Sequence, residues 1–365
     1  MTEYLFPEME IAQKRVQAVL VGCGEQATSI MHDAISYNDE IEVVGVCDLN
    51  KPRADFTAKH FGLKKSYQDL AQMLAEVEAE VAFVIMIPKF AAKIAKQCVD
   101  AGLHVYTEKP MSTDLGDAYA LGESLKKMNR KLGVSFNKRY ALAYKGMKDA
   151  VDSDIFGPTT AFSVKFVGGY RSTQTDLLRT GSCHFFDLGR YFVGEMEEVF
   201  AYKYEQAPGQ HVFAVSALFE NGCVGSFTLG SVGSWAAGYG MESVDIRGDR
   251  NMVTADNGRD FAWQKPSRIL NSYADSASSQ NTQAVAEQAV PLEILRPNYS
   301  NPGKMVESNF FINGNYQCIK AFVKAILNDE EPPVGYNDGL MALKIALAIE
   351  KSVEEKRAVK IAEIV

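Results

Sequence analysis

The sequence has no two cysteines spaced closely enough for a metal or disulfide motif. Its six cysteines, Cys23, Cys47, Cys98, Cys183, Cys223 and Cys318, are scattered along the chain. That spacing argues against a disulfide framework or a zinc site, so no metal is expected, and it suits reduced thiols in a cytoplasm. Long apolar runs are also missing. The longest, Val81 to Ile87, has seven residues and stops at Pro88, far short of the roughly 20 a bilayer requires. The first residues, Met1-Thr2-Glu3-Tyr4-Leu5-Phe6-Pro7-Glu8, are acidic and broken by proline, unlike a signal peptide. Basic tracts are confined to pieces such as Lys64-Lys65 and Lys126-Lys127, and 38 Lys+Arg stand against 46 Asp+Glu, a formal charge of −8. Such a chain repels phosphate backbones, so neither nucleic acid nor a membrane is an expected partner. There are no internal repeats. What remains is ordinary globular composition, 47% hydrophobic and 23% charged over 365 residues, enough for two domains at roughly 150 residues each.

The first third alternates strands and helices. Strands are expected at Val16 to Val21, Ile41 to Cys47, Val81 to Ile87 and His104 to Tyr106. Helices are expected from about Ala27 to Tyr37, Arg53 to Phe61, Gln68 to Leu74 and Ala91 to Ala101. This alternation implies a doubly wound parallel sheet, with the apolar third strand at its centre. After Gly133 the pattern changes to strands at Ala161 to Val167, Val199 to Tyr204, Val212 to Phe219, Val224 to Leu229 and Ser243 to Ile246. Asn221-Gly222 marks a hairpin, and one helix, His184 to Phe192, interrupts the series. A largely antiparallel sheet with a helix on one face follows. The Ser-, Ala-, Gln- and Asn-rich stretch Asn271 to Gln288 reads as a solvated loop, with a substrate lid or oligomer arm as the alternative. Asn315 to Leu327 and Gly339 to Ser352 are amphipathic helices. The division near Gly133 to Asn137 separates a first domain, 1–135, from a second, 136–365, whose last helix can return to the first.

Gly22-Cys23-Gly24-Glu25-Gln26-Ala27 fits G-x-G-x-x-[GA] between a strand and a helix. The first glycine permits a tight turn, the second lets backbone approach a pyrophosphate, and a small third residue lets helix and strand pack closely. A diphosphate then rests on free N–H groups at the helix N-terminus. Any βα glycine turn shares this pattern, but Asp48 ends the second strand, 24 residues after Gly24. An acid there accepts hydrogen bonds from ribose hydroxyls and repels a 2′-phosphate, favouring NAD over NADP. Lys51 and Arg53 are the nearest cations. Glu108-Lys109-Pro110 follows the fourth strand, where a lysine points either into the ligand crevice or into solvent, beside a proline that suits a special turn, cis included. His184 and Asp187, one helical turn apart, could present a base and an acid on one face.

These residues together resemble the Gfo/Idh/MocA oxidoreductases, the family of glucose–fructose oxidoreductase and inositol dehydrogenase. The resemblance runs over nearly the whole chain. It includes the Gly22 turn, Val46-Cys47-Asp48, the run from Ala101 to Pro110, Val134 to Tyr140, His184 to Glu195 and the last helix ending near Ser352. It implies an N-terminal Rossmann domain and a C-terminal α/β domain with a large, mostly antiparallel open sheet, whose face supports homodimers or homotetramers. Gly22, Gly24, Glu25, Gln26, Ala27, Asp48, Glu108 and Lys109 are the implied NAD contacts. Lys109 matches the lysine near nicotinamide and substrate hydroxyl, and His184 the general base for alcohol oxidation. Many members carry aspartate four residues before that histidine; here the position is Thr180. Asp176 or Arg179 are candidates to replace it. The histidine usual after the third strand is also absent, since Lys89-Phe90-Ala91-Ala92 follow Pro88.

The expected function is an NAD(P)-dependent dehydrogenase moving hydride between nicotinamide and a hydroxyl carbon of a sugar, sugar derivative or cyclitol. Two alternatives stay open: a dinucleotide-bound sensor, and an enzyme that recycles bound NAD during hydrolysis or epimerisation. Candidate substrate contacts are Lys109, Arg139, Lys165, Tyr170, Arg171, Thr180, His184 and Tyr239. The cations among them suit a polyhydroxylated or anionic small molecule.

Overall fold

In the computed structural model, residues 14–233, 241–249, 251–265, 292–295 and 313–365 are described. The N-terminal octapeptide, Tyr239 and the stretch from Asn271 to Gln288 lie outside them. The chain divides into two units, 1–137 with 307–341, and 138–306 with 342–365.

The first unit is built on five parallel strands in the order β2-β1-β3-β4-β5: β1 Val16–Val21, β2 Ile41–Cys47, β3 Val81–Val84, β4 His104–Thr107 and β5 Leu132–Val134. A lone parallel bridge from Cys47 to Tyr67 lies beside β2. The chain therefore runs outward from β1 in one direction and then resumes at β3 in the other. Ligands of such sheets bind at that reversal, beyond the carboxyl ends of the strands. All four residues of β3 are fully buried, as its uninterrupted apolar sequence requires. The strand ends at Val84, short of Ile87, because Pro88 opens the next helix.

Helices cover this sheet. A π-helical segment, Ala27–Met31, leads into α1, His32–Ser36; α2, Lys51–His60, α3, Leu70–Glu76, α4, Pro88–Asp100, and α5, Leu115–Met128, follow. Asn50, Asp69 and Asp114 cap α2, α3 and α5 by accepting backbone N–H bonds. Ala91, Ala95, Cys98 and Val99 form the buried face of α4. The last helix of this unit comes from far along the chain. In it, α8, Asn315–Leu327, buries Phe322 against Tyr106 and Phe83, with ring centroids 5.4 and 6.4 Å apart. Burial of a ring of that size contributes roughly 1.5–3 kcal/mol.

The second unit carries nine strands in the order β13-β12-β11-β10-β6-β9-β8-β7-β14. They are β6 Ala161–Val167, β7 Met196–Ala207, β8 Gln210–Phe219, β9 Val224–Gly230, β10 Glu242–Arg247, β11 Met252–Asp256, β12 Asp260–Gln264, β13 Leu292–Leu295 and β14 Val359–Lys360. All neighbours are antiparallel except β6 and β9. Gly222, with φ of +85°, turns β8 into β9 as the Asn-Gly pair predicts. Along β8 every second residue, Phe213, Val215, Ala217 and Phe219, is buried, whereas Ala214, Ser216 and Leu218 are exposed. One sheet face is thus a core and the other is open.

Before this sheet lies α6, Leu142–Val151, which the sequence reading passes over, as it does α5, β11 and β12. On the core face lies α7, Cys183–Phe192, with Phe185 against Phe166 (4.9 Å between centroids) and Phe186 against Phe227 (5.9 Å). Finally, α9, Tyr336–Glu355, belongs to the first unit through Met341 and to the second from Ala342. Ser352 on it donates to the Arg357 carbonyl and accepts from the Ala201 amide.

Candidate active site

In the first unit the site begins where β1 ends. Gly22 has φ of +94°, and a Cβ there would lie 2.1 Å from the Ile85 carbonyl oxygen. No other residue type fits either constraint. Its amide donates to the Cys47 carbonyl at 2.9 Å, tying the turn to β2. Gly24 is different: a Cβ there would meet no atom within 4 Å. Space is thus kept above this residue, where the motif brings a diphosphate against the backbone. Ala27 is buried, giving the close helix packing the third motif position needs, while Glu25 and Gln26 are exposed.

Asp48 faces the same turn. Its Oδ2 accepts the Cys23 amide and its Oδ1 the Asn50 amide, both at 2.7 Å. The carboxylate is therefore oriented by the backbone, and each oxygen retains lone-pair capacity for a hydroxyl. An open cleft of about 440 Å³ lies beside it, lined by Gly24, Glu25, Thr28, Pro52, Arg53 and Phe56. Lys51 turns away to Asp55 and Ser66, which leaves Arg53 as the cation lining the cleft. A turn locked by Gly22, room over Gly24 and an oriented acid at 48 fit a dinucleotide.

Two residues follow β4. Glu108 is buried, and that burial raises its carboxyl above the usual range, opposed by the Lys109 charge. Its Oε2 accepts the Lys109 amide at 3.2 Å. Lys109 is half-buried, and its peptide bond to Pro110 is cis.

The second unit holds His184, at the second position of α7 and 9% exposed. The acid one turn along the same helix has a partner from outside it. Asp187 receives both ends of the Arg139 guanidinium, from Nε at 2.8 Å and Nη2 at 2.5 Å. Arg139, a candidate for substrate, also stacks over Tyr191, 5.2 Å from the ring centroid. This buried pair pins the 3-10 turn Asn137–Tyr140 to α7, and breaking such a pair costs about 3–5 kcal/mol. Arg139 and Asp187 thus form an anchor between that turn and α7.

Lys165 is set apart too, projecting from the open sheet face between buried Val164 and Phe166, the latter packing on α7. Tyr170 is exposed and covers Gly209, whose Cβ would meet its ring at 2.2 Å. Arg171, by contrast, lies 3.8 Å from Asp176. Asp176–Gly181 is a π-helical turn leading into α7, and within it the Thr180 hydroxyl reaches Asp176. Arg179 pairs with Glu350 on α9, so of the two candidates to replace the missing acid, Asp176 stands with Thr180.

Sequence reasoning missed one part-buried network. The Lys138 ammonium donates to both Glu242 oxygens at 2.7 and 2.6 Å, and the Tyr144 hydroxyl to Oε1 at 2.6 Å. Lys138 also sits over the Phe185 ring, 5.3 Å from its centroid, which braces the residue next to His184. Among the described residues no group of three His, Cys, Asp or Glu side chains could hold a metal ion, and no helix is long and apolar enough to cross a membrane.

Comparison with known proteins decides the family. Residues 16–136 match the NAD-binding Rossmann domain of the GFO_IDH_MocA oxidoreductase family, and residues 164–361 match its C-terminal alpha/beta domain. The chain belongs to the Gfo/Idh/MocA oxidoreductases. It is thus an NAD-binding oxidoreductase. A curated relative, myo-inositol 2-dehydrogenase of Thermotoga maritima, is 24% identical over 95% of this chain and 98% of its own. A scyllo-inositol dehydrogenase from Lactobacillus casei, solved with NAD(H) and scyllo-inositol, superposes with a TM-score of 0.73. That match has 20% identity and covers 96% of this chain and 100% of that one. The WlbA dehydrogenase from Bordetella pertussis, solved with NADH and UDP-GlcNAcA, gives a TM-score of 0.74 at 20% identity, covering 96% and 99%.

Asp48 and Arg53 make opposite demands on a 2′-phosphate, and Asp48 is the one held in place by backbone amides. NAD therefore raises the melting temperature more than NADP at equal concentration. A larger shift from NADP would show that Arg53 outweighs Asp48.

Proposed function

We propose that this oxidoreductase is an NAD-dependent dehydrogenase acting on a CH–OH group of a sugar, sugar derivative or cyclitol. The observation that carries the reading is His184, buried at the start of α7. An imidazole there is suited to take a proton from a substrate hydroxyl. Lys109 supplies a cation to orient the alcohol oxygen and stabilise its developing charge. Residues 1–135 serve the dinucleotide and 136–365 the substrate and assembly. Bound NAD supplies the hydride acceptor, and Gly22, Gly24, Glu25, Gln26, Ala27, Asp48 and Glu108 are the residues that would hold it.

The substrate class is suggested by the curated relative myo-inositol 2-dehydrogenase and by similar folds solved with scyllo-inositol and with UDP-GlcNAcA. These molecules each present several ring hydroxyls. Arg171, whose guanidinium lies near Gly181, and Thr180, in the turn before α7, are substrate candidates close to the start of that helix. Neither the sensor nor the NAD-recycling alternative is favoured by a feature of the structure. All six cysteines are buried and outside any disulfide, which suits a reducing cytoplasm.

His184→Asn is expected to lower turnover by roughly 10²–10⁴-fold, the usual contribution of general acid–base catalysis. The assay follows reduced-nicotinamide absorbance with NAD and a panel including myo-inositol, scyllo-inositol and sugar acids. Near-wild-type turnover by the variant on any panel member would remove His184 as the base.

The open face of the second sheet supports a homodimer or homotetramer. Tyr202, Tyr204 and Val224 are 69%, 66% and 57% exposed there, with Ser226 and Thr228 beside them and no charge on β9. An apolar surface of this kind marks an association site. Light scattering during size exclusion should give two or four times the 40.2 kDa chain mass. A monomer at micromolar concentration would contradict this assembly.

A further inference from the structure

Beyond the end of β4 the first unit carries a buried polar cluster that the family match does not assign. In the parallel ladder of β4 and β5, Tyr106 pairs with Gly133 and Thr107 with Val134. The Ser135 amide extends that ladder by donating to the Thr107 carbonyl at 2.9 Å. Alternate residues share a face, so Tyr106, Glu108, Gly133 and Ser135 point to the same side of the sheet. Helix α8 covers that side: Phe322 packs on Tyr106, and a Cβ on Gly133 would lie 2.5 Å from the Phe322 ring. Under this cover Glu108 Oε1, the Ser135 hydroxyl and the Tyr106 hydroxyl are all shielded from solvent, and none forms a well-aligned hydrogen bond. Ser135 nevertheless adjoins both of the others. Buried polar groups left in this way are rare and call for a specific explanation.

We propose that Glu108 stands as a neutral carboxylic acid, accepting the Lys109 amide on Oε2 and donating from Oε1 to Ser135, so that it fixes the turn of Lys109 without cancelling that lysine's charge. This rests on the reading of Lys109 as the cation that orients the alcohol oxygen. A protonated carboxyl is donor and acceptor at once, whereas a carboxylate only accepts. Serine and tyrosine hydroxyls can answer either form, so charge decides between them. The charged and titratable groups around Glu108 are Lys109 beside it, Tyr106 on β4, and Cys318 on α8, which adjoins Tyr106. Tyr106 and Cys318 supply no positive charge. The Lys109 charge opposes the effect of burial, but its ammonium makes no ion pair with Glu108 among the described residues. A carboxylate without such a partner is disfavoured at this depth, and burial accordingly raises the Glu108 carboxyl above its usual range. A neutral neighbour leaves the Lys109 charge available to the substrate oxygen. Glu108 is thus a positioning residue, acting through Lys109.

Infrared difference spectra of the full-length protein without cofactor, wild type minus Glu108→Gln, test this at neutral pH. The amide removes the carboxyl and keeps its shape. A protonated-carboxyl C=O band should be present in the wild type and missing from the variant; loss of a carboxylate band pair instead would overturn the proposal. Thermal melts give a second reading. A carboxyl raised on folding carries no penalty below its unfolded value, and destabilises the folded state increasingly as pH climbs towards its folded value. The melting temperature of Glu108→Gln relative to wild type should therefore rise by about 2 °C or more between about pH 5 and pH 8. A difference that stays flat or falls across that window would mark an ordinary or paired carboxylate, and overturns the proposal as well. Undiminished turnover by Lys109→Met would instead defeat the reading of the lysine, whatever the spectra show.

Discussion

The closest approach in the nucleotide unit, between Gly22 and the Ile85 carbonyl, is the constraint from which the rest of that site follows. With 2.1 Å from a built Cβ to that oxygen and a left-handed backbone, the position admits glycine alone. The turn this forces brings the Cys23 amide to Asp48 and the Gly22 amide to Cys47. Strand β2 and its terminal acid are thus held in register with the end of β1. The same turn leaves Gly24 facing open space rather than protein. A strand contact, an acid's orientation and a ligand's clearance all trace to one missing side chain.

The second unit solves a different problem, that of placing a polar helix inside an aromatic core. Helix α7 is buried along nearly its whole length, yet it carries His184, Asp187 and Arg190. Each charge is answered: Arg139 meets Asp187, and Arg190 meets Glu195. Leaving either unmatched in that environment would cost several kcal/mol. The preceding turn is anchored likewise through Arg179 and Glu350. Ion pairs here hold the helix at a defined height on the sheet, and the aromatic contacts of Phe185 and Phe186 set its rotation.

What could be read in the sequence was whatever depends on neighbours along the chain. The glycine turn, Asp48 at the end of β2, the apolar run of β3 and the Asn221-Gly222 hairpin each carry their own physical signal. Another signal of that kind was passed over: Asn257 and Gly258 take positive φ, 50° and 63°, and turn β11 into β12. Helix α5 was harder, since Gly116 and Gly122 weaken its propensity, the latter making room for Tyr336. The network of Lys138, Tyr144 and Glu242 was out of reach because its members are brought together only by the fold. Asp187 is a related case: its spacing from His184 is that of an acid–base pair, and its contact with Arg139, 48 residues earlier, is brought about only by the fold.

The nucleotide site depends on the space above Gly24. Alanine at this position collides with nothing in the protein, so Gly24→Ala should keep the denaturant midpoint of the wild type or raise it slightly. If a dinucleotide phosphate lies against that backbone, the same methyl group should weaken NAD binding about tenfold or more, measured by isothermal titration calorimetry. A stable Gly24→Ala protein that binds NAD as tightly as the wild type would contradict the placement of the cofactor and the site built around it.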